Sequence, residues 1–268
     1  MFLSIAIITI GSLLGAYIFY ILGLYRYQDN LIFFPAKVDL LNYRKIEQYS
    51  QKLQAIDGAT LQGWTIHSNS PQNERPLHLL YFGGNAQEAS AALCLLRNLD
   101  FDLITTFNYR GYGLSSGSPR EKLLYSDALE IYDWIDAQFP ASNIIVMGHS
   151  LGSAIAGHLA KQRRPEKIIL SSPLHSLEKI AKEKFFVPGI FVRHKFSLYD
   201  STKLIESEVL ALIAKRDSVI PNKHSYESLG NISNLHAIIE LEDVDHNSLI
   251  CSDVARAAIN HFIDIRRM

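Results

Sequence analysis

The segment from Ile144 to Ala160, IIVMGHSLGSAIAGHLA, joins an apolar run to a run of small helix-forming residues through Gly-His-Ser-Leu-Gly. A chain that passes from strand to helix with almost no loop must turn on a single residue. The neighbours of that residue then have room for little more than a hydrogen atom. Gly-x-Ser-x-Gly meets the demand: Gly148 and Gly152 flank the turn, and the Ser150 hydroxyl is pushed out at the carboxyl end of the strand. At a usage near ~7% for Gly and Ser, roughly one unrelated chain in ten of this length carries the pattern, so its surroundings decide what it means.

Strand-like runs LQGWTIHS, LHLLYF, FDLITTFNY, NIIVMG, KIILS, VLALIAKR and LHAIIEL alternate with helical patterns. Those patterns are AQEASAALCLLRNL, EKLLYSDALEIYDWIDAQF, the segment after Ser150, NKHSYESLG and CSDVARAAINHFIDI. The alternation predicts an α/β fold, a mostly parallel, doubly wound sheet with helices on both faces. With 48% apolar and 20% charged residues, a chain of 268 can bury a real core. A net charge of −1 without a basic run leaves no footprint for nucleic acid. Cys94 and Cys251 fall in helical patterns and are expected as buried thiols. No zinc-ligand spacing exists, so neither a metal nor a cofactor is expected.

A serine hydroxyl becomes a nucleophile when a base takes its proton, and an acid must hold that base. In doubly wound hydrolases the partners follow in the order serine, acid, histidine, each at a strand's carboxyl end. Asp217 directly follows VLALIAKR, and His246 follows LHAIIELEDVD. Capping of the next helix is the alternative for Asp217. Of the other candidate histidines, His236 lies at a strand start, His224 in a helix after the Asp217 turn and His261 within a helix; His246 alone separates the last strand from the last helix. Oxyanion donors are expected from the backbone N–H of Leu151 and of Asn85, the latter at the start of the next helix in GGNAQEA. Gly83 and Gly84 would give that loop a sharp backbone, although an ordinary glycine turn looks similar.

Phe2 to Tyr25 carries no charge and is long enough to cross a bilayer. It lacks the charged start and small-residue cleavage site of a secretory signal. Tyr17, Tyr20, Tyr25 and Tyr27 gather toward its far end, where an aromatic belt would lie. The expected division is an anchor and flank over 1–27, a tether over 28–50 and a hydrolase domain over 51–268, with a lid insertion at about 173–206. Arg26, Lys37, Arg44 and Lys45 follow the span closely, which favours a cytoplasmic domain, while Asp29 and Asp39 contribute little. The oligomeric state is not legible.

YFGGNAQE, NYRGYGLSSGSPRE, GHSLGSAIAGHLA, AKRDSVIP and VDHNSL, with YQDNLIFFP after the apolar start, resemble the α/β-hydrolase superfamily. More narrowly, they are similar to its membrane-anchored branch of Bem-type hydrolases and protein depalmitoylases. The resemblance implies the α/β-hydrolase fold, Ser150 as nucleophile, Asp217 as acid, His246 as base, and Asn85 and Leu151 as the oxyanion hole. One departure stands out: the family usually has His-Gly-Asn where this chain has Gly83-Gly84-Asn85. Tyr109, Arg110 and Tyr112 could form a site wall, but Arg110 reads better as the partner of a carboxylate. The expected activity is cleavage of an acyl ester or thioester, with lipids and lipidated proteins among the substrates a membrane-held site would meet. A serine peptidase of the same fold and a non-catalytic anchored scaffold remain as alternatives, because fold alone does not choose among them.

Overall fold

The computed structural model describes residues 2–38, 40–67 and 75–264. Asp39, Ser68 and Ile265, each part of a segment named above, lie outside them. The chain runs α1 (Phe2–Ile32), α2 (Leu40–Ile46), β1 (Ser50–Gln54), β2 (Thr60–His67), β3 (Leu77–Phe82) and α3 (Ala89–Leu96). It continues with β4 (Leu103–Phe107), α4 (Glu121–Gln138), β5 (Asn143–His149), α5 (Leu151–Arg163) and β6 (Lys167–Ser171). Then follow α6 (Leu177–Phe185), α7 (Tyr199–Thr202), β7 (Glu208–Ala214), α8 (Asn222–Leu229), β8 (Leu235–Leu241) and α9 (Asp253–Asp264).

Eight strands form one sheet in the order β1-β2-β4-β3-β5-β6-β7-β8. β1 to β4 pair antiparallel through β2, and every other neighbour is parallel. Successive side chains of a strand point to opposite faces, and the central strands bury both. Leu80 and Phe82 of β3, with Ile144 and Val146 of β5, join the core under α4 and α5. Leu79 and Tyr81 of β3, with Ile145 and Met147 of β5, join the core under α3 and α9. These unbroken apolar strands are what a sheet covered on both sides requires.

The strand order reverses between β3 and β5: the chain leaves β3 toward β4 and leaves β5 toward β6. At such a switch point the connections diverge and open a crevice at the carboxyl ends of the strands, where ligands bind in open α/β sheets. The loop 83–85 and the turn at Ser150 both emerge there.

Three expectations change. β1 falls where a tether was expected to end, since Ser-Gln-Lys-Leu-Gln has too little apolar content to mark a strand, yet it pairs along β2 as an edge. α1 continues to Ile32, past the expected end of the anchor's flank, and ends just before Pro35. Cys94 and Cys251 are exposed free thiols. α3 turns Ala89, Ala92, Leu93 and Leu96 inward and leaves Cys94 on its outer side, while Cys251 closes a 3-10 turn in which Leu249 and Ile250 face the core.

Candidate active site

Ser150 sits at φ 53°, ψ −117°, between the last residue of β5 and the first of α5. L-residues rarely adopt positive φ, and such strain persists where the surroundings over-determine it. Here the surroundings are backbone. A methyl group on Gly148 would lie 2.3 Å from the carbonyl oxygen of Gly152, and one on Gly152 would lie 2.1 Å from that of Phe82. The Ser150 N–H donates to the Ser171 carbonyl at 2.9 Å, fixing the turn to the neighbouring strand. α5 therefore packs against β3 and β5 at a distance only glycine permits, with Ser150 held over its amino end.

Asp217 and His246 come from the loops after β7 and β8. His246 Nδ1 is 2.7 Å from Asp217 Oδ2, and both side chains are buried. The other carboxylate oxygen of Asp217 accepts the backbone N–H groups of Val219 (2.9 Å) and Ile220 (2.7 Å). Asp217 therefore does not cap α8, which has no side-chain cap; one of its oxygens orders the local turn and the other faces histidine. Burial pushes the Asp217 carboxyl up, but the bonds from His246 and the Ile220 amide outweigh it and hold the group below the usual carboxylate range. Among the described residues no hydrogen bond joins the Ser150 hydroxyl to His246. Such bonds commonly tighten when substrate is bound.

His149, next to Ser150, places its ring centre 4.9 Å from that of His246. Burial and the neighbouring His246 hold the His149 imidazole down to about 3. It therefore stays neutral, with Nδ1 3.1 Å from the Ser171 hydroxyl.

Leu151 opens α5, so its amide has no acceptor within the helix and carries the positive end of the helix dipole. Asn85 lies in a turn four residues before α3, not at the helix start as expected; Glu88 caps that helix. The glycines before it also differ from expectation. Neither Gly83 nor Gly84 has positive φ. A methyl on Gly84 would make ordinary contact, 3.7 Å from Ser150 Cβ, and one on Gly83 would press on the Gln87 side chain, 2.6 Å from its Oε1 and 3.3 Å from its Cβ. The loop is shaped by hydrogen bonds instead. Tyr109 donates to the Gly83 carbonyl at 2.7 Å, and Tyr112 donates to the Asn85 carbonyl at 2.6 Å. The Asn85 side chain donates to the Ile32 carbonyl at 2.8 Å, at the end of α1. Tyr109 and Tyr112 are therefore buried braces of this loop, a role that the glycine-rich motif around them did not signal. Arg110 forms the expected carboxylate pair, bidentate to Asp127 with a third contact to Asp57.

Ser150, Leu151 and Asn85 share one cavity of about 360 Å³. Its remaining walls are mostly apolar, with Gln28 and Lys184 among them, and come from three places, of which the turn after β7 gives Val219 and Ile220. Leu177, Ile180 and Val187 belong to the segment inserted between β6 and β7, whereas Leu24, Leu31 and Ile32 belong to α1. That the apolar amino-terminal helix lines the cavity was not legible in the sequence. No group of three or more His, Cys, Asp or Glu side chains that could hold a metal occurs among the described residues.

A family model described as the alpha/beta hydrolase fold matches residues 78–185. The lysophosphatidylserine lipase ABHD12 of Gallus gallus is 31% identical over 180 residues, covering 58% of this chain and 47% of that protein. The chain thus spans about half the length of the curated relatives it matches. An uncharacterised protein of Mycobacterium tuberculosis is 28% identical over 256 residues, or 91% of this chain and 89% of that one. An esterase of Pyrococcus furiosus superposes with a TM-score of 0.67 at 16% identity, over 87% of this chain and 97% of the esterase.

Proposed function

We propose, from the premise that this chain has the α/β-hydrolase fold, that it is a membrane-anchored serine hydrolase cleaving a fatty-acyl ester. The observation that carries the reading is Ser150, strained on its turn and facing an apolar cavity together with Asn85 and Leu151. In this mechanism the Ser150 hydroxyl attacks the acyl carbonyl while His246 takes its proton. Asp217 holds the imidazole by its Nδ1–H, leaving Nε2 free to act, and stabilises the imidazolium that forms. The amides of Leu151 and Asn85 receive the oxyanion, the alcohol leaves with the proton carried by His246, and water then releases the acid from the acyl-enzyme.

The cavity volume lies at the lower end of the ~300–1,000 Å³ typical of small-molecule sites, which suits one acyl chain. Similarity to a lysophosphatidylserine lipase favours single-chain lysophospholipids over thioesters or peptides. The narrower Bem-type and depalmitoylase branch rests on the sequence resemblance alone. In this reading residues 1–27 are anchor and flank, 28–50 lead into the hydrolase domain at 51–268, and 173–206 form its lid. α1 is long and apolar enough to cross a membrane, and the positive charges after it favour a cytoplasmic domain. A fluorophosphonate probe should label the full-length protein and spare Ser150→Ala. Equal labelling of the two proteins would remove the assignment, and labelling of neither would favour the scaffold.

A further inference from the structure

From Phe2 to Tyr25 α1 carries no charge on any side, yet among the described residues one stripe of it touches the rest of the protein. The Tyr17 hydroxyl donates to the Phe186 carbonyl at 2.7 Å, and Tyr20 donates to the Phe185 carbonyl at 3.0 Å. Ile21 is buried against Val187 and Val192. Further along, the buried Gln28 amide donates to the Phe191 carbonyl at 2.6 Å and accepts the Arg193 N–H at 2.8 Å. Spacings of three and four residues put these positions on one helix face, so the lid is fastened along α1 from Tyr17 to Gln28.

The depth of the fastening can be read against the charges. Arg26 is the first charged side chain after the apolar run. At ~1.5 Å per residue, Tyr20 lies ~9 Å and Tyr17 ~14 Å before it, measured into a hydrocarbon layer ~30 Å thick. The backbone that these tyrosines bind must lie at that depth too. Phe186, whose carbonyl Tyr17 binds, is 75% exposed, and Ile190, 85% exposed, adjoins Phe191, whose carbonyl Gln28 binds nearer the surface; they are the most exposed large apolar side chains of the insertion. Water is a poor solvent for such a surface beside a membrane span, and lipid is a good one. Phe185, bonded to Tyr20, and Leu24, one helical turn after it, both line the cavity that holds Ser150.

We propose that the tip of the lid, around Phe186 and Ile190, is seated in the bilayer leaflet, and that the Ser150 cavity opens there between α1 and α6 to take in an acyl chain sideways from the lipid. The lid's occupant is therefore the leaflet itself, and the substrate class is a single-chain amphiphile dissolved in it. This deepens the hydrolase reading and, for substrate entry, rests on it. The helix then serves twice, as the anchor and as a wall of the site.

The test uses the full-length protein in sealed vesicles, with Cys94 and Cys251 replaced by Ser. An environment-sensitive fluorophore is placed by Ile190→Cys or Phe186→Cys and, as a control, by Ile56→Cys, which is 91% exposed in the turn between β1 and β2. Lipids brominated along their acyl chains should quench the two lid labels and not the control. Absence of quenching overturns the proposal, as does cross-linking of Ile190→Cys between protein copies in place of quenching. The second arm compares turnover of a long-chain monoacyl ester held in vesicles with that of a soluble short-chain ester. Phe186→Ser combined with Ile190→Ser should lower that ratio by about an order of magnitude, through loss of two large apolar side chains from the lipid contact; an unchanged ratio overturns sideways entry. α1 keeps both proteins in the membrane, so recruitment does not enter the ratio. Quenching needs no catalysis, and Ser150 labelling needs no seated lid, so either reading can fail without the other.

Discussion

His246 Nδ1 lies 2.7 Å from a buried oxygen of Asp217, although 29 residues and a complete strand separate them in the chain. The pair exists because β7 and β8 are parallel neighbours, so that the loops leaving them emerge side by side at one edge of the sheet. It leads to the first expected outcome. Asp217→Asn should lower kcat on a short-chain p-nitrophenyl ester by roughly 10³–10⁴-fold with little change in KM, because an amide in place of the carboxylate favours the wrong histidine tautomer. Steady-state kinetics on folded protein check this; a loss under tenfold would detach Asp217 from the chemistry.

The second outcome concerns pH. His246→Ala should abolish esterase activity at every pH tested, because no other imidazole among the described residues is placed to take the serine hydrogen, and substitution of the exposed His261 should leave activity in place. His149, held neutral by burial, gives no pH dependence of its own near neutrality. A stability effect follows from Asp217, whose folded carboxyl is held below its unfolded value of ~3.9. Its contribution is present above that unfolded value and disappears as pH falls through the folded one. Thermal melts should accordingly show a wild-type advantage over Asp217→Asn at pH 6 that shrinks progressively as the pH is taken below about 3.9.

Two glycine substitutions separate a crowded backbone from an open one. Gly152→Ala would drive a methyl group into the Phe82 carbonyl at 2.1 Å, whereas Gly84→Ala meets nothing closer than 3.6 Å. Forcing α5 away from β3 should cost about 3 kcal/mol, and Gly84→Ala should stay within about 1 kcal/mol. Denaturant titration distinguishes them. Equal losses would mean that the turn at Ser150 is not held by this contact.

The orientation across the membrane is tested by protease digestion of sealed vesicles of known sidedness. Arg26, Lys37, Arg44 and Lys45 should keep the domain on the cytoplasmic side. Digestion from the opposite face would reverse the assignment, and extraction by carbonate would remove the anchor itself.

Much of this protein is legible in its sequence because the relevant patterns are local. A strand buried on both faces must be apolar throughout, a turn without a loop must be flanked by glycine, and residues just past strands must meet at one edge of a parallel sheet. Together with the resemblance to the α/β-hydrolase superfamily, those patterns bring Ser150, Asp217, His246, Asn85 and Leu151 forward as candidates. β1, polar and at the edge, carries no such pattern. The braces of the 83–85 loop, Tyr109 and Tyr112, could not be distinguished from a site wall, since the carbonyls they bind lie 26 and 27 residues away. The largest gap is α1. From Phe2 to Tyr25 its residues carry no charge on any side, so periodicity marks no face, and its partners in the segment between β6 and β7 lie more than 160 residues further along the chain. By itself the sequence determined that this helix is apolar enough to enter a membrane. Only the tertiary structure decided that one side of it closes the cavity at Ser150, because that depends on which distant backbone carbonyls and side chains are left to pair with it once the sheet has formed.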